Sequence, residues 1–159
     1  MRDPIVRPAT EADAVRLAEL RWEFRAGKDR PVEERAAFVR RCAEWMASEL
    51  RARTWLAWIA ETEYGIAGQV WLRLIQKVPN PVGERDRHAY LSNLYVTPTA
   101  RGGVGTRLLE AAIDWASANR VDRIVLWPTA RSRSMYRRYG FTASGEVLEL
   151  TCPGEERSN

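Results

Sequence analysis

The sequence has few cysteines, one histidine and no long apolar run, and these shortages exclude several classes of protein. Only Cys42 and Cys152 occur among 159 residues. Two such cysteines do not suggest a disulfide scaffold, and they favour a reducing compartment, so we expect a cytoplasmic protein. No apolar run approaches the about 20 residues that a membrane span requires, and the first residues lack the apolar core of a secretory signal. We therefore expect no membrane partner.

Lysine is also scarce, so the positive charge comes almost entirely from arginine. Lys28 and Lys77 are the only lysines among 25 basic residues. Residues 101–138 hold eight arginines against three acidic residues, whereas the whole chain has a net charge of only +4. A basic segment attracts phosphate groups, either on a nucleic acid or on a small molecule. Charge alone also fits a solvated, arginine-rich surface.

The length is typical of one domain, and we expect a single domain over residues 1–159. Hydrophobic periodicity and turn signals predict the elements. Strands are predicted at 5–7, 54–61, 66–75, 87–96 and 122–127, with terminal strands at Phe141 and 146–150. Helices are predicted from Thr10 to Gly27, from Pro31 through Leu50, over 106–119 and over about 131–139. This order is typical of a mixed α/β or α+β domain.

The most informative segment is a strand that leads through a glycine-rich turn into a helix. The turn contains Gly102, Gly103 and Gly105. Glycine lets the backbone approach a ligand closely, and the first N–H groups of a helix attract anions. The turn therefore predicts an anion site, unless its glycines serve only a tight connection. The segment lacks the lysine of a P-loop, and Leu108 stands where a dinucleotide fingerprint needs its last glycine.

Two motifs resemble those of the GNAT family of N-acetyltransferases. The first, Leu94 to Thr106, is a strand end followed by Pro-x-x-Arg and Gly-x-Gly, with one residue fewer than usual before the glycines. The second, Met135 to Phe141, has the pattern apolar-Tyr-x-x-x-Gly-Phe and follows one strand and one helix later. The resemblance covers most of the chain. It implies a GNAT-like, mostly antiparallel mixed sheet flanked by about four helices, with acetyl-CoA as the co-substrate.

The resemblance also implies the residues of the site. Tyr136 would protonate the departing CoA thiolate, and a backbone N–H near Leu94 would stabilise the developing oxyanion. The general base is unassigned: Ser92 and Asn93 could orient a water, and His88 lies at the start of the same strand. No metal is expected. The acetyl-CoA contacts implied by the family motifs are Leu94, Tyr95, Val96, Arg101, Gly102, Gly103, Val104, Gly105, Thr106, Thr129, Ser132 and Tyr136.

The activity implied by the resemblance is direct acetyl transfer from acetyl-CoA to a primary amine, on a small molecule or a protein N-terminus. A non-catalytic acyl-CoA-binding protein would need the glycine turn but could dispense with Tyr136. A nucleic-acid-binding module would explain the arginines, but no basic helical stripe stands out, so no nucleic-acid partner is expected. The sequence leaves open whether the chain forms a homodimer.

Overall fold

A computed structural model describes residues 3–143 and 145–152. The chain divides into two compact units, one that ends at Trp127 and one that begins at Pro128. No helix within the described residues is long and apolar enough to cross a membrane.

The first unit contains a five-stranded sheet in the order β1-β2-β3-β4-β5. Neighbouring strands are antiparallel except for β4 and β5, which are parallel. Gly65, at φ +105°, directly follows the two-residue turn of the hairpin that the sequence predicts there. The strands are β1 (Ile5–Pro8), β2 (Trp55–Thr62), β3 (Gly65–Gln76), β4 (Arg87–Val96) and β5 (Arg123–Val125).

The described residues contain four α-helices in addition to the sheet, and the predicted mixed, mostly antiparallel architecture is confirmed. Three of them belong to the first unit, and the fourth to the second unit. Two single 3-10 turns, at Glu11–Asp13 and Pro98–Ala100, precede the first and the third of these helices. The helices are α1 (Ala14–Ala26), α2 (Arg35–Ala52), α3 (Val104–Ala118) and α4 (Arg133–Arg138).

The helices of the first unit pack on opposite faces of the sheet. Buried apolar side chains of α1 and α2 form one core with Ala57, Ile59 and Trp71. Trp58 alternates with Ala57 and Ile59 along β2, and its ring lies 6.2 Å from that of Trp115 in α3. Because successive side chains of a strand point to opposite faces, α3 covers the other face.

Several element boundaries differ from the predicted ones. Helix α2 begins at Arg35 rather than at Pro31, because the first hydrogen bond of the helix runs from the Phe38 N–H to the Glu34 carbonyl, at 3.0 Å. Helix α3 begins at Val104, two residues earlier than predicted. The strand predicted at 122–127 is limited to β5, because it pairs only with the start of β4.

The two terminal strands predicted at Phe141 and 146–150 are wrong. None of residues 141–143 and 145–150 lies in a strand. Alternating apolar and polar residues form a strand only when a neighbouring backbone supplies hydrogen bonds and an apolar surface. The only helix or strand described in the second unit is α4, and the side chains of Val147, Leu148 and Leu150 are exposed.

Asp13 connects the first strand to the start of α1. Its two carboxylate oxygens each accept a hydrogen bond of 3.0 Å from the Arg7 guanidinium, and the Thr10 N–H donates a third bond of 2.8 Å. The Arg7 hydrogen bonds, with help from the Thr10 N–H, hold the pKa of Asp13 below its ordinary value, although burial opposes them. The carboxylate is therefore more stable in the folded chain than in the unfolded chain.

We expect Asp13→Asn to lower the free energy of unfolding by about 1–3 kcal/mol at pH 7, because it removes a charge-assisted pair from a buried position. A carboxylate whose pKa is depressed by folding contributes to the free energy of unfolding. This contribution is complete above the unfolded-state pKa of about 4 and is lost as the pH falls through the folded-state pKa. Denaturant unfolding at pH 7 and pH 3 should therefore show a smaller difference between variant and wild type at pH 3.

Asp29→Asn is the control, because its pair with Arg25 is exposed, and a change of at most about 0.5 kcal/mol is expected. Equal effects of the two substitutions would contradict the prediction.

Candidate active site

Strand β4 contains a bulge at Asn93 and Leu94. Gln69 of β3 lies opposite Tyr95, and Trp71 lies opposite Ser92. Asn93 and Leu94 of β4 therefore both lie opposite the one residue of β3 between Gln69 and Trp71. Asn93 adopts φ +56°, in the left-handed region that asparagine tolerates better than most residues. A bulge interrupts the strand ladder and redirects the backbone groups next to it.

Beyond the first residues of β4, one edge of the strand has no strand partner within the described residues. Strand β5 pairs only with His88, Ala89 and Tyr90. The following segment, 91–96, pairs with β3 alone. An extended chain of amide groups can add to such an edge through main-chain hydrogen bonds. A single 3-10 turn, Pro98–Ala100, lies between this edge and the glycine turn.

The glycine turn places the first N–H groups of α3 at an open position. Gly102 has φ +125° and Gly103 has φ +91°, and a Cβ atom on either would meet nothing within 4 Å. Gly103 directly precedes the first helical residue, Val104, and no side chain caps the helix there. The Arg107 N–H is bonded back to the Gly103 carbonyl at 3.1 Å. The N–H groups ahead of it have no acceptor within the helix and carry the positive end of its dipole.

Gly105 serves a different purpose from the two preceding glycines. Its φ angle is not in the left-handed region, so the backbone alone does not require glycine there. A Cβ atom at this position would lie 3.7 Å from Cγ2 of Val96, at the end of β4. A side chain at Gly105 would thus occupy space between the helix start and the strand. The absence of a side chain leaves that space open.

The polar residues of the bulge contact other parts of the first unit. The Ser92 hydroxyl accepts a hydrogen bond from the Tyr90 hydroxyl at 3.3 Å. Oδ1 of Asn93 accepts a bond from Nη1 of Arg21, on α1, also at 3.3 Å. The Tyr95 ring stacks on Phe24 at 5.1 Å, and burial raises the pKa of Tyr95. Sequence reasoning missed Arg21, because nothing distinguishes it from the other arginines of α1.

A row of aromatic side chains crosses the α2 side of the sheet next to Ser92. Neighbouring rings lie 5.2–6.3 Å apart, mostly edge to face. Trp71 is buried and the other inner members are half-buried, whereas the two ends of the row are exposed, with Trp45 46% and Trp127 64% accessible. It provides an apolar surface beside the bulge. Its members are Trp45, Trp55, Trp71, Tyr90 and Trp127.

His88 does not belong to this site. Its Nε2 lies 3.6 Å from Oδ2 of Asp122, which also accepts a 3.3 Å hydrogen bond from Lys77. Leu94 lies six positions after His88, which corresponds to about 20 Å along β4. The histidine is therefore too far from the bulge to remove a proton there.

The second unit contains the three remaining residues that the sequence proposes for the site. The Thr129 and Ser132 hydroxyls lie 2.9 Å apart, and each accepts a hydrogen bond from the backbone N–H of the other residue. Tyr136 is only 7% exposed, and its ring contacts Phe141 edge to face at 5.5 Å. Burial raises the pKa of Tyr136 to about 12. Its hydroxyl is therefore protonated at neutral pH and can act as a proton donor.

Comparison with known proteins shows the family to which this chain belongs. The model of the acetyltransferase (GNAT) family matches residues 15–141. The chain belongs to the GNAT acetyltransferase family. Several solved structures that resemble this GNAT protein are described as acetyltransferases, whereas a comparison with curated proteins gave no match.

Three solved structures illustrate the shared GNAT fold. A predicted acetyltransferase from Clostridium acetobutylicum, solved with acetyl-CoA, is 24% identical with a TM-score of 0.77, over 93% of this chain and 96% of that one. A GCN5-related N-acetyltransferase from Ralstonia eutropha is 23% identical with a TM-score of 0.76, over 93% and 98%. An acetyltransferase from Trypanosoma brucei is 19% identical with a TM-score of 0.70, over 94% and 100%.

Proposed function

We propose that this protein is an acetyl-CoA-dependent N-acetyltransferase, which transfers the acetyl group to a primary amine by direct attack. The observation that carries the proposal is the continuous stretch from Ser92 to Thr106. It combines a bulge, an unpaired strand edge and a glycine-lined helix start. Family membership makes acetyl transfer the expected activity, and this stretch offers the features that binding of an acyl-CoA requires.

In this proposal, acetyl-CoA is held by backbone groups. The N–H groups of the turn, from Arg101 to Thr106, bind the pyrophosphate, because they are free at the positive end of α3. The edge of β4 at Leu94, Tyr95 and Val96 pairs with the amides of the pantetheine arm. Thr129 and Ser132 are proposed as further contacts. Their hydroxyls would replace the hydrogen bond between them with hydrogen bonds to the ligand.

The proposed chemistry assigns one task to each remaining residue. Acetyl-CoA supplies a thioester carbonyl that an amine can attack. The Leu94 N–H, next to the bulge, donates a hydrogen bond to the carbonyl oxygen as negative charge develops there. Ser92 and Asn93 orient a water that accepts the proton of the amine, and Tyr136 protonates the leaving thiolate.

Two further properties are proposed with this function. The family match extends from residue 15 to residue 141, on both sides of Trp127, and supports one domain over residues 1–159. Cys42 and Cys152 are both free thiols, which fits a reducing compartment, and we propose a cytoplasmic location.

Acetyl-CoA and CoA should each raise the melting temperature of the protein, because ligands that bind only the folded state stabilise it. At about 100 times the dissociation constant the expected gain is about 2.7 kcal/mol, or about 5–10 °C for a chain of this size. Differential scanning fluorimetry measures the shift, with NAD and ATP as control ligands. A shift with NAD or ATP and none with CoA would refute the proposed ligand.

Turnover distinguishes an enzyme from a non-catalytic acyl-CoA-binding protein. Release of free CoA from acetyl-CoA, in the presence of a panel of primary amines, should exceed the rate without amine. Mass spectrometry should show the added acetyl group on the amine nitrogen. Binding of acetyl-CoA without release of CoA, for every amine of a broad panel, would favour the non-catalytic alternative.

A further inference from the structure

Arg21 on α1 is a half-buried guanidinium next to the bulge of β4. Its Nη1 donates a 3.3 Å hydrogen bond to Oδ1 of Asn93. Asn93 directly precedes Leu94, the residue whose N–H is proposed to stabilise the developing oxyanion. No carboxylate lies within ion-pair distance of Arg21 in the part of the chain that the structure describes.

This lack of a carboxylate partner distinguishes Arg21 from every comparable arginine. Four arginines are half-buried within residues 3–143 and 145–152, and the other three all have acidic partners. Arg7 pairs with Asp13 and Glu61, Arg16 pairs with Glu19 and Glu23, and Arg73 lies 3.6 Å from Glu49.

A half-buried guanidinium without a counter-ion is an unfavourable arrangement unless something else compensates it. Removal of a charge from water costs free energy, and burial accordingly lowers the pKa of Arg21, with a further contribution from the nearby Arg25. A guanidinium has five N–H donors, and Asn93 accepts only from Nη1. The other donors form a planar fork that matches a carboxylate or a phosphate.

The position of Arg21 indicates which ligand supplies the anion. The proposed pyrophosphate site is at the start of α3, on the opposite face of the sheet from α1. Arg21 is on the α1 side and contacts the bulge, where the acetyl group would be presented to the acceptor. Resting on the proposed function, we propose that the amine acceptor carries an anionic oxygen group, a carboxylate or a phosphate, which pairs with Arg21. Arg21 is then a residue that determines acceptor specificity.

The test compares amines that differ only in the anionic group. One arm uses the common α-amino acids against their amides, with phenylalanine and tryptophan included because of the adjacent aromatic row. The other arm uses phosphoethanolamine against ethanolamine. Steady-state kcat/KM is measured for wild type, Arg21→Met, Arg21→Lys and Arg25→Met. Arg25 is the matched control, because it lies one turn further along α1, is exposed and has its own partner, Asp29, at 2.9 Å.

We expect wild type to prefer the anionic member of at least one pair by about 10- to 100-fold, the usual effect of a charged hydrogen bond. Arg21→Met should remove this preference by raising KM for the anionic member, and should leave the neutral amine almost unchanged. Arg21→Lys should retain part of the preference, and Arg25→Met all of it. The arm that shows the preference identifies the anion as carboxylate or phosphate.

Other outcomes would overturn the proposal in distinguishable ways. If wild type acetylates both members of each pair equally, or if Arg21→Met lowers kcat for both members alike, Arg21 only supports the bulge. If Arg21→Met weakens the binding of acetyl-CoA, the anion belongs to the co-substrate. These results leave the proposed function intact. If no amine in either arm is acetylated although acetyl-CoA binds, both the anionic acceptor and the proposed function fail.

Discussion

Tyr136→Phe should lower kcat by about 10²–10⁴-fold and leave the dissociation constant of acetyl-CoA almost unchanged. Phenylalanine keeps the buried ring and its edge-to-face contact with Phe141, and it removes only the hydroxyl. Protonation of the thiolate occurs only in the transition state, so its loss affects kcat and not cofactor affinity. A thiolate is already a good leaving group, so we expect a loss at the lower end of this range.

The raised pKa of Tyr136 adds a dependence on pH to this prediction. Because burial raises its pKa to about 12, the hydroxyl should remain protonated through the whole range in which the protein can be assayed. The kcat of the wild type should therefore show no loss from deprotonation of Tyr136 at pH 9–10.

The measurements are single-turnover or steady-state rates with an acceptor for which chemistry limits the rate, together with calorimetric titration of CoA. Tyr64→Phe is the matched control, since Tyr64 is 90% exposed in the turn between β2 and β3 and should tolerate the change. An unchanged kcat for Tyr136→Phe would assign Tyr136 a packing role.

Gly105→Val should weaken CoA binding by about 100-fold or more and leave the protein folded. The Cβ of a helical residue points toward the start of its helix, which here is the proposed pyrophosphate site. A branched side chain would block the N–H groups of the turn, each of which is proposed to donate a charge-assisted hydrogen bond to the pyrophosphate. The fold should tolerate the change, because φ at Gly105 is ordinary and its Cβ would meet only Val96, at 3.7 Å.

Isothermal titration with CoA, combined with the melting temperature of the unliganded variant, separates binding from folding. Gly83→Val is the control, because a Cβ at Gly83 meets nothing within 4 Å and its φ is also outside the left-handed region. Gly103→Val is less informative, since φ +91° would strain any residue with a side chain. Normal CoA affinity in a folded Gly105→Val protein would show that the turn is not the anion site.

Local sequence signals predicted the segments whose structure depends on nearby residues. The apolar run of β4, the three glycines and the amphipathic pattern of α3 indicate a strand, a turn and a helix in this order, as observed. Gly65, Gly102 and Gly103 all adopt positive φ, which few residues other than glycine accept. Hydrophobic periodicity predicted the four helices that the described residues contain. The mostly antiparallel sheet followed from the resemblance to the GNAT family, which the family match confirms.

The sequence by itself thus determined most of the turns, strands and helices, since these elements depend on residues a few positions apart. Only the tertiary structure decided which segments pair. Residues 146–150 resemble a strand in their sequence but do not lie in one, whereas the three residues of β5 form a strand because β4 lies beside them. Tertiary structure likewise brings Arg21, 72 positions before Asn93, to the bulge. No local pattern encodes such a contact, because it arises from the packing of α1 across the sheet.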